Sequence, residues 1–145
     1  VLVVDDDDAI RDFLRSALEY EGYAVLAAGD GVDALALCER YTADVILLDL
    51  MMPRLSGMAF LARYRQQHRT AAAAVYVMSA VRAAVEQALT EGVDGMFVKP
   101  FDLEELLETV AGAVERRRLE RLSAQQSPAA LRTPLVPARL AGRPH

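Results

Sequence analysis

VILLDLMMPRLSG, residues 45 to 57, sets the architecture. Four apolar residues, Val45 to Leu48, run straight into one carboxylate, Asp49, and the chain then turns at Met52-Pro53 towards Gly57. A continuous apolar run of strand length, closed by turn residues, is the pattern of a strand buried on both faces. Its acidic end places Asp49 where a parallel strand leaves the sheet, the edge at which open α/β sheets bind ligands.

Upstream, the β-branched run Val1 to Val4 ends in four acids, Asp5 to Asp8. Ile10, Phe13, Leu14, Ala17 and Leu18 then recur with the period of one helix face. Asp7 or Asp8 is its natural N-cap, and Glu21-Gly22 ends it. Tyr23 to Ala28 reads as a second strand, Asp30-Gly31 as a turn, and Val32, Leu35 and Cys38 as a second helix reaching about Tyr41. Downstream, Gly57 opens a third helix through Leu61 and Tyr64 that closes in Arg65 to His68. Val75 to Ser79 is a fourth strand, Val81 to Glu91 an Ala-rich fourth helix, and Gly95 to Lys99 a fifth strand with its end at Pro100. Leu103, Leu106, Leu107, Val110 and Val114 stripe a last helix, capped by Asp102 and carrying Arg116, Arg117 and Arg118 near its expected C-terminal end.

The repeat is (βα)5, an α/β fold with a doubly wound, five-stranded parallel sheet and helices on both faces. Residues 1–121 are expected to form one domain. Residues 122–145, rich in proline and arginine and free of acids, are expected to be a flexible tail or linker.

Bulk properties narrow the function. A chain of 145 residues with 53% hydrophobic and 26% charged residues builds one real core. The net charge of −5 argues against non-specific binding to nucleic acid or an anionic membrane. The single cysteine, Cys38, excludes an internal disulfide and fits a reducing, cytoplasmic setting. No apolar run approaches the roughly 20 residues of a membrane span. Because the chain opens on Val1 inside an expected strand rather than on Met, a few preceding residues are expected.

In a parallel sheet the strand ends share one edge, so Asp5, Asp6, Asp49, Ser79 and Lys99 can converge. Three close carboxylates repel one another, and one or more would hold a proton unless a cation sat among them. A hard divalent ion of the magnesium type is the simplest solution. A phosphoryl group would then meet the metal, a lysine ammonium and a serine hydroxyl, a site for phosphoryl transfer to a carboxylate. Of the 16 basic residues only Lys99 is lysine. A compact point charge stands there instead of a planar guanidinium fork.

VLVVDDD, LLDLMMPRLSG, VYVMSA and GVDGMFVKPF together resemble the signatures of the receiver (CheY-like) domains of bacterial two-component response regulators. The match runs from about Val1 to Arg118, with the motifs in the family's order and spacing. The resemblance implies a flavodoxin-like sheet of strand order 2-1-3-4-5. It implies Asp49 as phospho-acceptor, and Mg2+ held by Asp5, Asp6, Asp49 and the Met51 backbone carbonyl. Ser79 would be the switch hydroxyl, Lys99 the phosphate partner, and Lys99-Pro100 a cis peptide bond. The implied donor is a sensor histidine kinase or phosphotransfer protein, and the implied output face is helix 4, strand 5 and helix 5, with a possible homodimer through it.

Three departures stand out. Met96 occupies the place of the family's switch aromatic, and Phe97 faces the other side of the strand. The segment between Ser79 and Gly92 is about two residues short. Met51 and Val81 replace the polar groups that many relatives use to position the attacking water, which predicts slow self-dephosphorylation. Met96 reads as a core or interface filler. His68 and His145 read as isolated, exposed residues outside any metal site, Cys38 as buried packing, and Arg116 to Arg118 as a solvated helix end.

The reading is thus a phospho-acceptor signalling domain, not an enzyme with an external substrate, that assists its own phosphorylation and dephosphorylation. One rival is a scaffold receiver with constitutive output. Another is a Mg2+-dependent phosphatase, disfavoured because those enzymes carry a second acid where Met51 stands. The four scattered arginines after Glu120 do not make a nucleic-acid site, so no direct nucleic-acid or membrane contact is expected.

Overall fold

The structure is a computed structural model that describes residues 1–69 and 72–126. Its elements are β1 (Leu2–Val4), α1 (Asp8–Tyr20), β2 (Leu26–Ala28), α2 (Gly31–Arg40), β3 (Val45–Asp49), α3 (Gly57–Gln67), β4 (Ala74–Ser79), α4 (Arg82–Thr90), β5 (Gly95–Val98) and α5 (Leu103–Gln125). All strand pairs are parallel, and the order across the sheet is β2-β1-β3-β4-β5. This is the expected (βα)5 sheet in the expected order.

Strand alternation divides the core into two layers. Leu2, Val4, Ile46, Leu48, Val75 and Val77 pack against Ala34 and Cys38 of α2, Phe60, Leu61 and Tyr64 of α3, and Val85 and Ala88 of α4. Val3, Val45, Leu47, Tyr76, Met78 and Phe97 pack against Leu14 and Leu18 of α1 and Leu106, Val110 and Ala113 of α5. β3 is buried along its whole length, as a central parallel strand covered on both sides must be. The Cys38 thiol lies in the first layer, and burial pushes it up to about 11.

The helix starts are set by short polar side chains. Asp7 accepts from the Ala9 and Ile10 amides, Asp30 from Asp33, Ser56 from Ala59, and Asp102 from Glu105. Gly22, at φ 92°, takes the chain out of α1 through a conformation that an L side chain resists.

Three expectations need correction. β2 begins at Leu26, not Tyr23, because its one partner, β1, offers only three residues for pairing. α5 runs on to Gln125, past the expected boundary at residue 121. Arg116 to Arg118 therefore lie inside that helix. Arg117 pairs with Glu120 and Arg118 with Glu115, while Arg116 donates to the Tyr76 hydroxyl of β4 at 2.9 Å, on the side of the sheet that α5 covers. The rest of the expected tail, residues 127–145 with His145, lies outside the described residues.

Candidate functional site

The alternation that builds the two layers also aims the polar strand ends. Asp5, Asp49 and Lys99 continue the rows of Val3, Leu47 and Phe97, so they share the α1/α5 side of the sheet edge. Ser79 continues the row of Val75 and Val77 and faces the α4 side. The acids and the lysine thus belong to one layer, and the hydroxyl to the layer that carries α4.

Asp5 and Asp49 are buried, at 0% and 4% exposure, and Asp6 is exposed. Lys99 Nζ donates to Asp5 Oδ2 at 2.8 Å and stands 3.6 Å from Asp49 Oδ2. The Asp7 amide donates to Asp5 Oδ1, and the Met51 amide to Asp49 Oδ1 at 3.2 Å. The Asp49 carboxylate is therefore oriented, one oxygen held by its own loop and the other turned towards the ammonium.

Burial pushes the Asp49 carboxyl up to about 7, and the Asp5 charge adds to the rise against the pull of the Met51 amide and Lys99. Burial works against the Lys99 ammonium, but Asp5 and Asp49 outweigh it and hold its pKa above the usual lysine value. One ammonium thus faces more negative charge than it neutralises.

Asp5, Asp6 and Asp49 each offer an oxygen within 4.8 Å of the others. Hard oxygen donors with surplus negative charge fit a divalent ion of the magnesium class. Met51 is 63% exposed, and it meets the site through its backbone amide on Asp49 Oδ1.

Ser79 is buried at 1% exposure, one residue beyond the Asp49–Met78 pair, and its Oγ accepts from the Val81 amide at 3.1 Å. Val81 is the N-cap of α4 and has no side-chain cap of its own. The hydroxyl at the sheet edge is therefore a fixed point for the start of α4. Met96 is not at this edge. It pairs with Val77 in mid-strand and packs against the α2–α4 layer, while Phe97 is buried in the opposite one. The Lys99-Pro100 bond is cis.

Several contacts escaped the sequence reading. Arg11 Nη1 donates to the Asp5 carbonyl at 2.8 Å and its Nη2 to Asp8, tying α1 to the end of β1. Arg54 reaches back to Asp30 at the start of α2. Nothing in the pattern marks either arginine, because both contacts depend on loop paths. His68, expected to be exposed, is half-buried. Its ring stacks on Tyr64 and bonds the Tyr64 and Cys38 carbonyls, a packing role far from any acid cluster.

Comparison with known proteins points one way. Residues 1–111 match the sequence model of the response regulator receiver domain. The chain is 37% identical over 118 residues to the DNA-binding dual master transcriptional regulator RpaA of Synechocystis, covering 80% of this chain and 49% of that protein. It is 39% identical over 123 residues to the response regulator MprA of Mycobacterium ulcerans, covering 83% and 52%. The chain thus spans about half the length of these curated relatives. Among solved structures it is similar to the receiver domain of the Francisella response regulator 1452, at TM-score 0.72 and 34% identity, covering 79% of this chain and 95% of that one.

Proposed function

The chain belongs to the response regulator receiver domain family, and from that premise we propose that it takes a phosphoryl group from a phosphohistidine donor onto Asp49. The observation that carries this reading is the buried Asp49 carboxylate, set among Asp5, Asp6 and Lys99 at the sheet edge. A sensor histidine kinase or a phosphotransfer protein is the donor. An Asp49 oxygen attacks phosphorus, the P–N bond breaks, and its electron pair returns to the donor imidazole, leaving an acyl phosphate.

Asp5, Asp6, Asp49 and the Met51 carbonyl would hold Mg2+. When bound, the ion neutralises charge on the carboxylates and the phosphoryl oxygens. Lys99 leaves its carboxylate partners for the new phosphoryl group, as a point charge on a flexible stem can. Ser79 donates its hydroxyl to the same group. Because that hydroxyl holds the Val81 amide, its movement shifts the start of α4 and biases the face made by α4, β5 and α5. β5 is an edge strand of the sheet, and this face is the proposed homodimer surface. The domain assists its own phosphorylation and dephosphorylation and acts on no external substrate.

The donor approaches over Ile10, Phe13, Ala80, Pro100 and Phe101, an apolar patch that borders Lys99. Phe13 is 53% exposed on it. We assign the receiver unit to residues up to about the end of α5, and the cytoplasm as its compartment. Among the described residues no helix is long and apolar enough to cross a membrane.

A receiver with constitutive output is the second reading, and Met96 favours it. An unbranched aliphatic side chain packed on the α4 layer has no ring to swing between two positions. The test is transfer from a labelled phosphohistidine donor, followed by mapping of the acyl phosphate. Label on the peptide holding Asp49 and a changed oligomeric state support the first reading. Label there with no change in assembly or partner binding supports the second, and label elsewhere removes both.

A further inference from the structure

Between β3 and α3 the chain makes a turn that is costly for the residue at its tip. The Leu55 amide donates to the Pro53 carbonyl at 2.7 Å, a γ-turn centred on Arg54, which sits at φ 62°. Such turns with positive φ are rare and strained for any residue but glycine. Arg54 is the positive-φ residue other than glycine among the described ones. The surrounding structure must therefore hold it.

What holds it is α2. Arg54 Nε donates to Asp30 Oδ2 at 2.8 Å, Nη2 bonds the same oxygen, and Nη2 lies 3.6 Å from Asp33 Oδ1. Asp30 is no surface partner. It is buried, and it caps α2 by accepting from the Asp33 amide at 2.9 Å. An exposed ion pair contributes little, but a guanidinium placing two N–H groups on a buried, oriented carboxylate is a stronger tether. Leu55 presses against Gly31 beside this contact, where a Cβ would meet the Leu55 side chain at 3.0 Å. The far end of the loop is closed by the Gly57 amide on the Leu50 carbonyl at 3.2 Å, and a side chain at Gly57 would collide with the Asp49 carbonyl. Between these fixed points lies Met51, whose amide holds Asp49 Oδ1.

We propose that Arg54 is a positioning residue for phosphoryl acceptance: its tether to the Asp30 cap of α2 holds the 50–56 loop so that the Met51 backbone orients Asp49 and serves the divalent ion. This deepens the receiver reading and rests on it.

Charge alone predicts something different, which makes the proposal testable. If Arg54 and Asp30 acted on the ion only through space, Arg54→Ala would tighten divalent binding by removing a positive charge. Asp30→Asn would loosen it. Positioning predicts that both loosen it, on the order of tenfold, as the loss of outer contacts to a metal site does. It also predicts that the double variant is no worse than either single one. Asn remains a good cap, so Asp30→Asn keeps the α2 start intact. Arg54→Lys keeps the charge without the fork and should fall between wild type and Arg54→Ala.

The experiment is a Mn2+ and Mg2+ titration of the full chain and these variants, with the Met51 amide followed by NMR and thermal midpoints recorded alongside. Weaker binding in both single variants, without additivity and with a shifted Met51 amide, supports the proposal. Lower midpoints with unchanged ion affinity, or affinity changes of opposite sign, overturn it. Should Arg54→Ala fail to fold, Asp30→Asn and Arg54→Lys carry the same comparison. Wild-type protein that binds neither ion and takes no phosphoryl from a small acyl phosphate would overturn the receiver reading itself. A normal wild type with indifferent variants removes only the role of Arg54.

Discussion

Asp49 owes its chemistry to the strand that ends in it. Burial and the Asp5 charge favour the protonated acid, so its pKa is raised from 3.8 to about 7. A raised carboxyl pKa contributes stability that is fully present below the unfolded value and is lost as pH rises through the folded one. Metal-free protein should therefore lose stability from this group between about pH 4 and pH 7. Asp49→Asn, which cannot ionise, should be the more stable protein at pH 8 by on the order of 1–4 kcal/mol. Chemical denaturation of both proteins at pH 4 and pH 8, in chelator, checks it; a gap that does not widen with pH contradicts it. Lys99→Arg should slow phosphoryl uptake about a hundredfold, since a planar fork cannot replace a point charge between two carboxylates. The rate of acyl-phosphate labelling measures that. Asp5, Asp49 and Lys99 were legible because each follows an apolar strand, which fixes its edge. The Arg54–Asp30 tether was not, because the two residues meet only through a loop conformation.

Helix α4 is tied to the sheet edge at its N-cap by Ser79. Val81 occupies the N-cap with no side-chain acceptor, and the amide it presents is held by Ser79 Oγ. Val81→Ser should supply a cap and raise stability by about 1 kcal/mol, read as a higher denaturant midpoint. It should also weaken the coupling of Ser79 to α4, seen as smaller phosphorylation-induced shifts of α4 amides. Helix α1 carries the half-exposed Phe13 beside the pocket. Phe13→Glu should slow transfer from a protein donor at least tenfold, the loss of one buried aromatic anchor. Labelling by a small acyl phosphate should be unchanged, and equal loss with both donors contradicts the docking role. Most helices were legible from their apolar stripes and Asp caps. The end of α5 was not. Arg116 to Arg118 have the look of a C-terminal turn, yet the helix continues because Glu115, Glu120 and the Tyr76 hydroxyl take up their guanidinium groups. Arg121 adds a pair with Asp44 at 2.8 Å.

At the scale of the molecule, one rule does most of the work. Parallel strands bring every strand end to one edge, and alternation sorts those ends between two layers. Acids and lysine go to the α1/α5 side, and the hydroxyl goes to the α4 side. The proposed chemistry at Asp49 and the proposed movement at α4 would thereby be adjacent but separable. The fold class was readable because short apolar runs of strand length alternate with period-3.6 segments along the chain, and the strand order came from the resemblance to receiver domains. The length of β2 was not, since an edge strand extends only as far as its single partner. Divalent ions should stabilise the whole domain through the acid cluster. Saturating Mg2+ at a hundredfold its Kd should add about 2.7 kcal/mol, visible as a raised thermal midpoint that Asp5→Asn removes. The most direct test of the central claim is intact-mass analysis after incubation with a small acyl-phosphate donor, with Mg2+ or with chelator, for wild type and Asp49→Ala. The account predicts a gain of one phosphoryl group in wild type with Mg2+, lost in chelator and lost in the variant. A gain that persists in Asp49→Ala, or none in wild type where a known receiver domain is labelled, would contradict it.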